Sequence, residues 1–418
     1  MESKTSVVPV DSISQAGGDT LKGQRVMLAI AIFALCIDAL AVRSIILLAP
    51  FIRSGLGIDE GQYGYVMAAI MAGTLLAVLP VGSLLDRLAA RKVFPFLLIG
   101  VGLAFLVVSL QNTFSGLLVA LFILGILRAG IIPLVNRLIT TRIAPAQRGA
   151  IMGIIYASVP LGGFLGAVVL PALGAYIDWQ AGYLLLGLTT LLGGILSRNR
   201  IPEDDTVRHK TNAPRDLSPL LSVTFLVLAF TYGLYALSLS ADVYVTLYLV
   251  DVVKISAVAA GIFFGLIQLT GIGGRVFWGF LADRRFRKNR LGLLAIVNGL
   301  TVISFILLTL LDSSSSGWMV GLVMVVIGMS VASSWGILST VLGDVVQVSS
   351  IAVATSVVFF ISTVADMVGP VLFGASLEAT QSYNQTIGRY AGLAVFTGLI
   401  FAWLAWRIRR KPAVVEQV

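Results

Sequence analysis

Leu97-Leu-Ile-Gly-Val-Gly-Leu-Ala-Phe-Leu-Val-Val-Ser-Leu110 holds no charge and is apolar on every side. A membrane-barrel strand alternates its polarity along segments of about ten residues, so this stretch reads as a helix immersed in lipid. The whole chain repeats the pattern. Of its 418 residues 58% are hydrophobic and only 12% charged, against roughly 25% charged in soluble domains, and the mean hydropathy is +0.98. Each crossing of the hydrocarbon core needs about 20 residues. Apolar runs of that length predict twelve spans, over 26–50, 63–85, 93–110, 116–137, 150–173, 181–196, 222–249, 258–281, 291–311, 317–342, 351–375 and 387–407. The expected fold class is an all-α polytopic membrane protein.

Composition removes several function classes. Cys36 and His209 are each the sole residue of their type, so an internal disulfide, a multi-Cys metal site and a His cluster are excluded. No G-x-x-x-x-G-K-[ST] phosphate loop is present, which argues against an ATPase engine. No nucleophile, base and orienting group form a visible constellation, so an enzyme is not expected, and neither is a cofactor or metal. The first apolar run is too long for a signal-peptide core and lacks an A-x-A site, so no removable leader is expected.

The net charge of +9 orients the protein and does not point to nucleic acid. Arg53, Lys254 and Arg389 fall on one side, and Arg43 and Arg128 fall within spans. The other Lys and Arg residues occupy the tails, the loops near 86–92, 138–149, 197–221 and 282–290, and the helix ends beside them. By the positive-inside rule both termini and these loops are cytoplasmic, and the protein is multi-pass in the cytoplasmic (inner) membrane.

The longest polar interruption, with Glu203, Asp204, Asp205, Arg208, Lys210 and Arg215, divides the chain into near-equal halves. The expected organisation is a cytoplasmic tail over 1–25, six-helix bundles over 26–196 and 222–407, a linker over 197–221 and a second tail over 408–418. The halves share a motif: Gly82-Ser-Leu-Leu-Asp86-Arg87 after span two matches Gly279-Phe-Leu-Ala-Asp283-Arg284 after span eight, 197 residues later.

Paired G-x-L-a-D-R loops in a six-plus-six layout resemble the major facilitator superfamily of secondary transporters over essentially the whole chain. Arg91 and Lys92, and Arg287, Lys288 and Arg290, keep the family's basic cluster, whereas its usual glycine after D-R-x is replaced by Ala89 and Phe286. Arg142-Ile-Ala-Pro-Ala-Gln-Arg148-Gly149 resembles the family's P-x-x-R-G turn. The resemblance implies pseudosymmetric halves with a substrate site near midplane between them. It also implies a cytoplasmic latch, with a second copy at Gly279, Asp283 and Arg284, in which Gly82 permits close helix approach, and Asp86 pairs with a nearby arginine, Arg137 or Arg142, and parts as the halves rock. Span five holds Val159-Pro160-Leu-Gly162-Gly163 where family exporters of the proton/drug type often show G-P-x-x-G-G, which weakens an export role. Gly162, Gly163 and Gly166 there, and Gly369 and Gly374 in span eleven, serve either close packing or bending.

Charged residues within the spans are expensive, at about 2.5 to 3.5 kcal/mol each on insertion scales, and therefore face the interior and pair. Five are singled out: Asp38, Arg43, Arg128, Asp242 and Asp366. At 1.5 Å rise per residue, Asp38 and Arg128 both fall near midplane. The resemblance makes spans one and four neighbours, with an acid in the first and an arginine in the fourth. Asp38 is then either a proton-coupling residue or half of a permanent ion pair. Arg128 tunes it, binds an anionic substrate or serves the architecture.

Arg43 follows Asp38 by five residues, about 140° round the helix, and needs another partner. It either bridges to Asp242 in the outer third of span seven, binds a substrate carboxylate through its fork, or snorkels to the interface. Thr231, Tyr235, Ser238, Asp242 and Thr246 lie within about 80° on an α-helical projection and predict a cavity-lining face. Thr355, Phe359, Ser362 and Asp366 make a sparser stripe. Asn136, Tyr156, Gln268, Asn298 and Trp335 are further candidates for substrate contact, with Gln268 and Trp335 preferred because spans eight and ten flank the family's central region.

The function expected from this reading is proton-coupled symport of a small polar organic solute, possibly a carboxylate, by rocker-switch alternating access. Its partners are the solute, protons and the bilayer, with no nucleic acid, and the chain is read as a monomer. The alternatives are a proton/drug-type efflux antiporter and, from another class, a non-transporting sensor on the same scaffold.

Overall fold

In a computed structural model, the structure describes residues 10–85, 88, 90–143, 145–198, 200–201, 222–287, 289–346 and 351–410. Every described element is helical. Eleven helices are long and apolar enough to cross a membrane. The remaining crossing, span ten, is split into Gly317–Ser330 and Ser334–Val345 around a break at 331–333. The twelve-span architecture therefore stands, with one span in two pieces instead of the continuous helix expected over 317–342.

Two other spans are also interrupted. Span four runs as Phe114–Arg128 and Ile131–Arg142. Span seven runs as Val223–Ser238, a 3-10 segment Leu239–Tyr244, and Val245–Asp251. Span one continues back to Val10 as helix, although its apolar stretch begins only at Gly23. A short helix, Ala49–Leu56, follows it and ends on Gly57 in the left-handed conformation (φ 62°), which glycine adopts without steric penalty.

The packing repeats between the two halves of the chain. In the first, span one packs on five, two on four and three on six; in the second, seven packs on eleven, eight on ten and nine on twelve. Spans two and eleven, and five and eight, join the halves by the same pseudosymmetric rule. Lipid is as apolar as leucine, so these interfaces depend on close backbone approach and on hydrogen bonds. A Cβ on Gly73 would stand 2.0 Å from the Phe122 carbonyl, and one on Gly125 would stand 2.1 Å from that of Ile70, so spans two and four touch backbone to backbone. Burial is accordingly inverted: Phe96, Leu103, Phe230, Val276 and Phe396 face outward, while Thr231, Ser238, Thr301, Ser304 and Thr397 are buried.

Candidate functional site

Span four breaks immediately after Arg128, so the arginine sits at the carbonyl end of a helix, where the backbone dipole favours a cation. The glycine contact between spans two and four delivers Thr74 to the same place. Arg128 donates from Nη2 to Asp38 at 3.0 Å and from Nη1 to the Thr74 hydroxyl at 3.1 Å, with its Nε buried and unpartnered. Asp38 is 5% exposed. The carboxylate and guanidinium that the sequence places at one depth are thus in contact, and one donor is left over.

Arg43 reaches across to the second half. Its Nη1 stands 3.7 Å from Asp242 Oδ2, an ion pair without a hydrogen bond, and its guanidinium lies 5.9 Å from the Phe264 ring centroid. The second Asp242 oxygen is buried without a partner. Asp366 is half-buried, with Arg43 in electrostatic range.

Beyond this pair, at the end of the molecule opposite the basic loops, the halves are tied together in tiers. Thr246 donates to the Ile46 carbonyl at 2.6 Å. Tyr244 donates to the carbonyls of Glu60 and Pro370, both at 2.9 Å. It also stacks on Phe373 and meets Tyr63 edge-on at 5.2 Å. Missing side chains permit this plug: a Cβ on Gly64 would lie 2.5 Å from the Pro370 carbonyl, and one on Gly374 would lie 2.7 Å from that of Glu60.

The outermost tier is ionic. Arg53 grips Asp251 with both terminal nitrogens at 2.5 and 2.7 Å and also reaches Glu60 at 2.9 Å, while Tyr383 donates to Asp251 at 2.8 Å. Burial works against the Arg53 charge, but the hydrogen bonds and charge of Asp251 outweigh it and hold the guanidinium above its ordinary pKa. The sequence reading counted Arg53 only as a charge on the poorer side. Its partner is 198 residues away, and no local pattern could have supplied it.

Some predicted residues are not brought together. The span-seven stripe assumed continuous α-helix, and the change to 3-10 after Ser238 alters the rotation per residue. Tyr235 is fully buried, bonded to Thr301 at 3.2 Å and edge-on to Phe401, and Ser238 donates to the Tyr235 carbonyl. Tyr235 therefore packs with spans nine and twelve, and Ser238 turns back on its own helix. Asn298 likewise bonds Thr397 between spans nine and twelve. Gln268 does reach the seam: it is 3% exposed, its Nε2 has no partner, and its side chain fills the space a Cβ on Gly163 would take. The Trp335 side chain is outside the description.

At the basic end, Asp86 and Arg87 lie outside the described residues, as does the side-chain environment of Gly82. Arg137 donates to the Leu88 carbonyl at 2.9 Å. In the second copy Asp283 is met by Arg290 of its own half at 3.3 Å, and Arg284 covers the Phe280 ring. Among the described residues, nothing lies within 4 Å of where a Cβ on Gly279 would be.

One charged group was missed. By sequence Arg275 of span eight groups with the basic helix end that follows, yet it sits nine residues before the helix ends and donates from Nε to the Ala332 carbonyl at 3.1 Å, at the break of span ten. A count of charges against the helix end, 284, was the signal available.

These features define a helical membrane carrier with paired charges between its two halves. The family model for the Major Facilitator Superfamily matches residues 31–370, and the chain belongs to that family of transporters. It is similar to the hexuronate transporter of Bacillus subtilis (strain 168), 22% identical over 88% of this chain and 91% of that protein. It is also similar to a quinolone resistance transporter of Acinetobacter baumannii, 24% identical over 84% and 86%. Among solved structures it resembles a bacterial homologue of the human lysosomal transporter Spinster in an inward-facing and occupied conformation, with a TM-score of 0.78 and 17% identity over 93% of this chain and 99% of that one.

Proposed function

We propose that the protein is a proton-coupled symporter for a small organic carboxylate, with two six-helix bundles, over 26–196 and 222–407, rocking about a midplane site. The observation that carries this reading is the buried Asp38–Arg128 pair with a leftover Arg128 donor. Burial disfavours the carboxylate charge and the arginine favours it, so a substrate anion that competes for Arg128 raises the proton affinity of Asp38. Proton and anion then bind together, which is the requirement for symport. Differential affinity for the two facing states supplies the coupling.

The end opposite the basic loops is the outer one under this reading, and both termini are cytoplasmic. The tiers from Arg43–Asp242 to Arg53–Asp251 then form a closed outer gate, and the molecule faces inward. Opening requires those contacts to break while the loops at Asp86 and Asp283 engage. A carboxylate substrate is favoured by Arg43 and Arg128 and by the hexuronate transporter among the relatives. The quinolone resistance transporter of similar coverage keeps proton/drug antiport as the second reading.

Transport by reconstituted vesicles separates the two. With D-glucuronate as the probe, an inward proton gradient should drive accumulation above equilibrium, and substrate addition should carry protons inward. Proton movement opposite to the substrate would establish antiport, and transport indifferent to the gradient would remove proton coupling altogether.

A further inference from the structure

Charges inside a bilayer pair with one another because an uncompensated one is costly. Asp38 has Arg128, and Asp242 has Arg43. Among the described residues, Arg275 has no acidic partner. Its Nε is committed to the Ala332 carbonyl, and its two terminal nitrogens bond no protein atom and reach accessible space.

The local fold builds this arrangement deliberately. Spans eight and ten meet through glycines: a Cβ on Gly271 would lie 2.7 Å from that of Ala332, and one on Gly274 would lie 2.9 Å from that of Ser333. Span ten breaks there at 331–333, and the Ala332 carbonyl inside the break fixes the arginine. The first half shows the counterpart, where the glycine contact of spans two and four holds Arg128 at the span-four break. There the guanidinium finds an aspartate; in the second half it finds none.

Gln268 lies seven residues earlier in span eight, two turns away on the same face. Helical side chains lean toward the helix N-terminus, so Arg275 leans toward Gln268. The Gln268 amide is nearly fully buried, and its donor Nε2 is unpartnered. Arg43 from the opposite half is within electrostatic reach of Arg275. Arg275 and Gln268 therefore present unpaired donors on one face of span eight, while the acids at the seam, Asp242 and Asp366, interact with Arg43 instead.

From this we infer that Arg275 and Gln268 form the carboxylate-binding subsite of the second half, the Arg275 fork taking both carboxylate oxygens and Gln268 Nε2 adding a third hydrogen bond. The inference rests on the carboxylate reading above and deepens it: the substrate anion supplies the acidic contact that no described residue makes with Arg275. Since Arg275 is held by span ten and Gln268 packs against Gly163 of span five, an anion at this place senses the relative position of the halves.

The test labels the intact protein in detergent with phenylglyoxal, which modifies free guanidinium groups, and reads each arginine by mass spectrometry. Arg275 should react faster than Arg128, and acetate at 100 mM or D-glucuronate at 10 mM should slow it at least threefold, whereas acetamide and D-glucuronamide should not. D-Glucuronate affinity should fall about thirtyfold in Arg275→Met and less in Arg275→Lys, the loss expected for a charge-assisted bidentate contact. Protection at Arg43 or Arg128 but not at Arg275, or unchanged affinity in Arg275→Met, overturns the subsite and leaves the carboxylate reading intact. Equal protection by acids and amides, or none by either acid, overturns the subsite together with the carboxylate reading.

Discussion

Asp251→Asn should unlock the end of the molecule that Arg53 closes. Arg53 and Asp251 side chains are each 22% exposed. Their pairing therefore falls between a surface bridge, worth about 0 to 1 kcal/mol, and a buried pair, whose breakage costs about 3 to 5 kcal/mol. Glu60, 2.9 Å from Arg53, retains part of the compensation, so about 2 kcal/mol is lost. That shifts the equilibrium between open and closed forms about thirtyfold toward the open one. Tyr244→Phe removes the hydrogen bond that crosses to the Glu60 carbonyl of the first half, worth about 1 kcal/mol, and should shift it about fivefold. Thr246 is 1% exposed beneath the gate, so Thr246→Cys in a Cys36→Ser background reports opening through its maleimide labelling rate in detergent. The rate should rise about thirtyfold with Asp251→Asn and about fivefold with Tyr244→Phe. A rate within twofold of the parent in both would refute the interlock.

Three further outcomes are expected. Reversing Arg43 or Asp242 alone should abolish transport, and reversing both should restore a substantial part of it; failure of the double reversal would give the two residues independent roles. Gly64→Ala forces spans two and eleven apart at the Pro370 carbonyl, and should cost about 1 to 3 kcal/mol of the closed form, read as faster labelling at Thr246→Cys. Gly279→Ala, where space is open, should leave the thermal midpoint unchanged to within a degree, while Gly125→Ala, against the Ile70 carbonyl, should lower it by several degrees.

The spans were legible from their apolar length, and the Asp38–Arg128 contact because a charge in an apolar helix must find another at its own depth and the family resemblance makes spans one and four neighbours. The same logic offered the Asp242 bridge as one of three roles for Arg43, beside substrate binding and snorkelling. What was not legible depends on backbone departures without a sequence mark. Leu239-Ser-Ala-Asp-Val-Tyr244 contains neither glycine nor proline, yet it turns as 3-10 helix, and the projection that grouped Tyr235 with Asp242 fails there. The break of span ten creates the carbonyl that holds Arg275, so an arginine assigned to a loop cluster becomes an interior group. Arg53 and Asp251 meet only through the tertiary fold, and their identities alone gave no reason to pair them.

The central claim is that protonation of Asp38 is what converts a proton gradient into solute accumulation. Reconstituted Asp38→Asn, given an inward proton gradient and D-glucuronate, decides it most directly. The account predicts that exchange of labelled for unlabelled solute persists while accumulation above equilibrium is lost. Accumulation by the variant equal to that of the parent protein would contradict it.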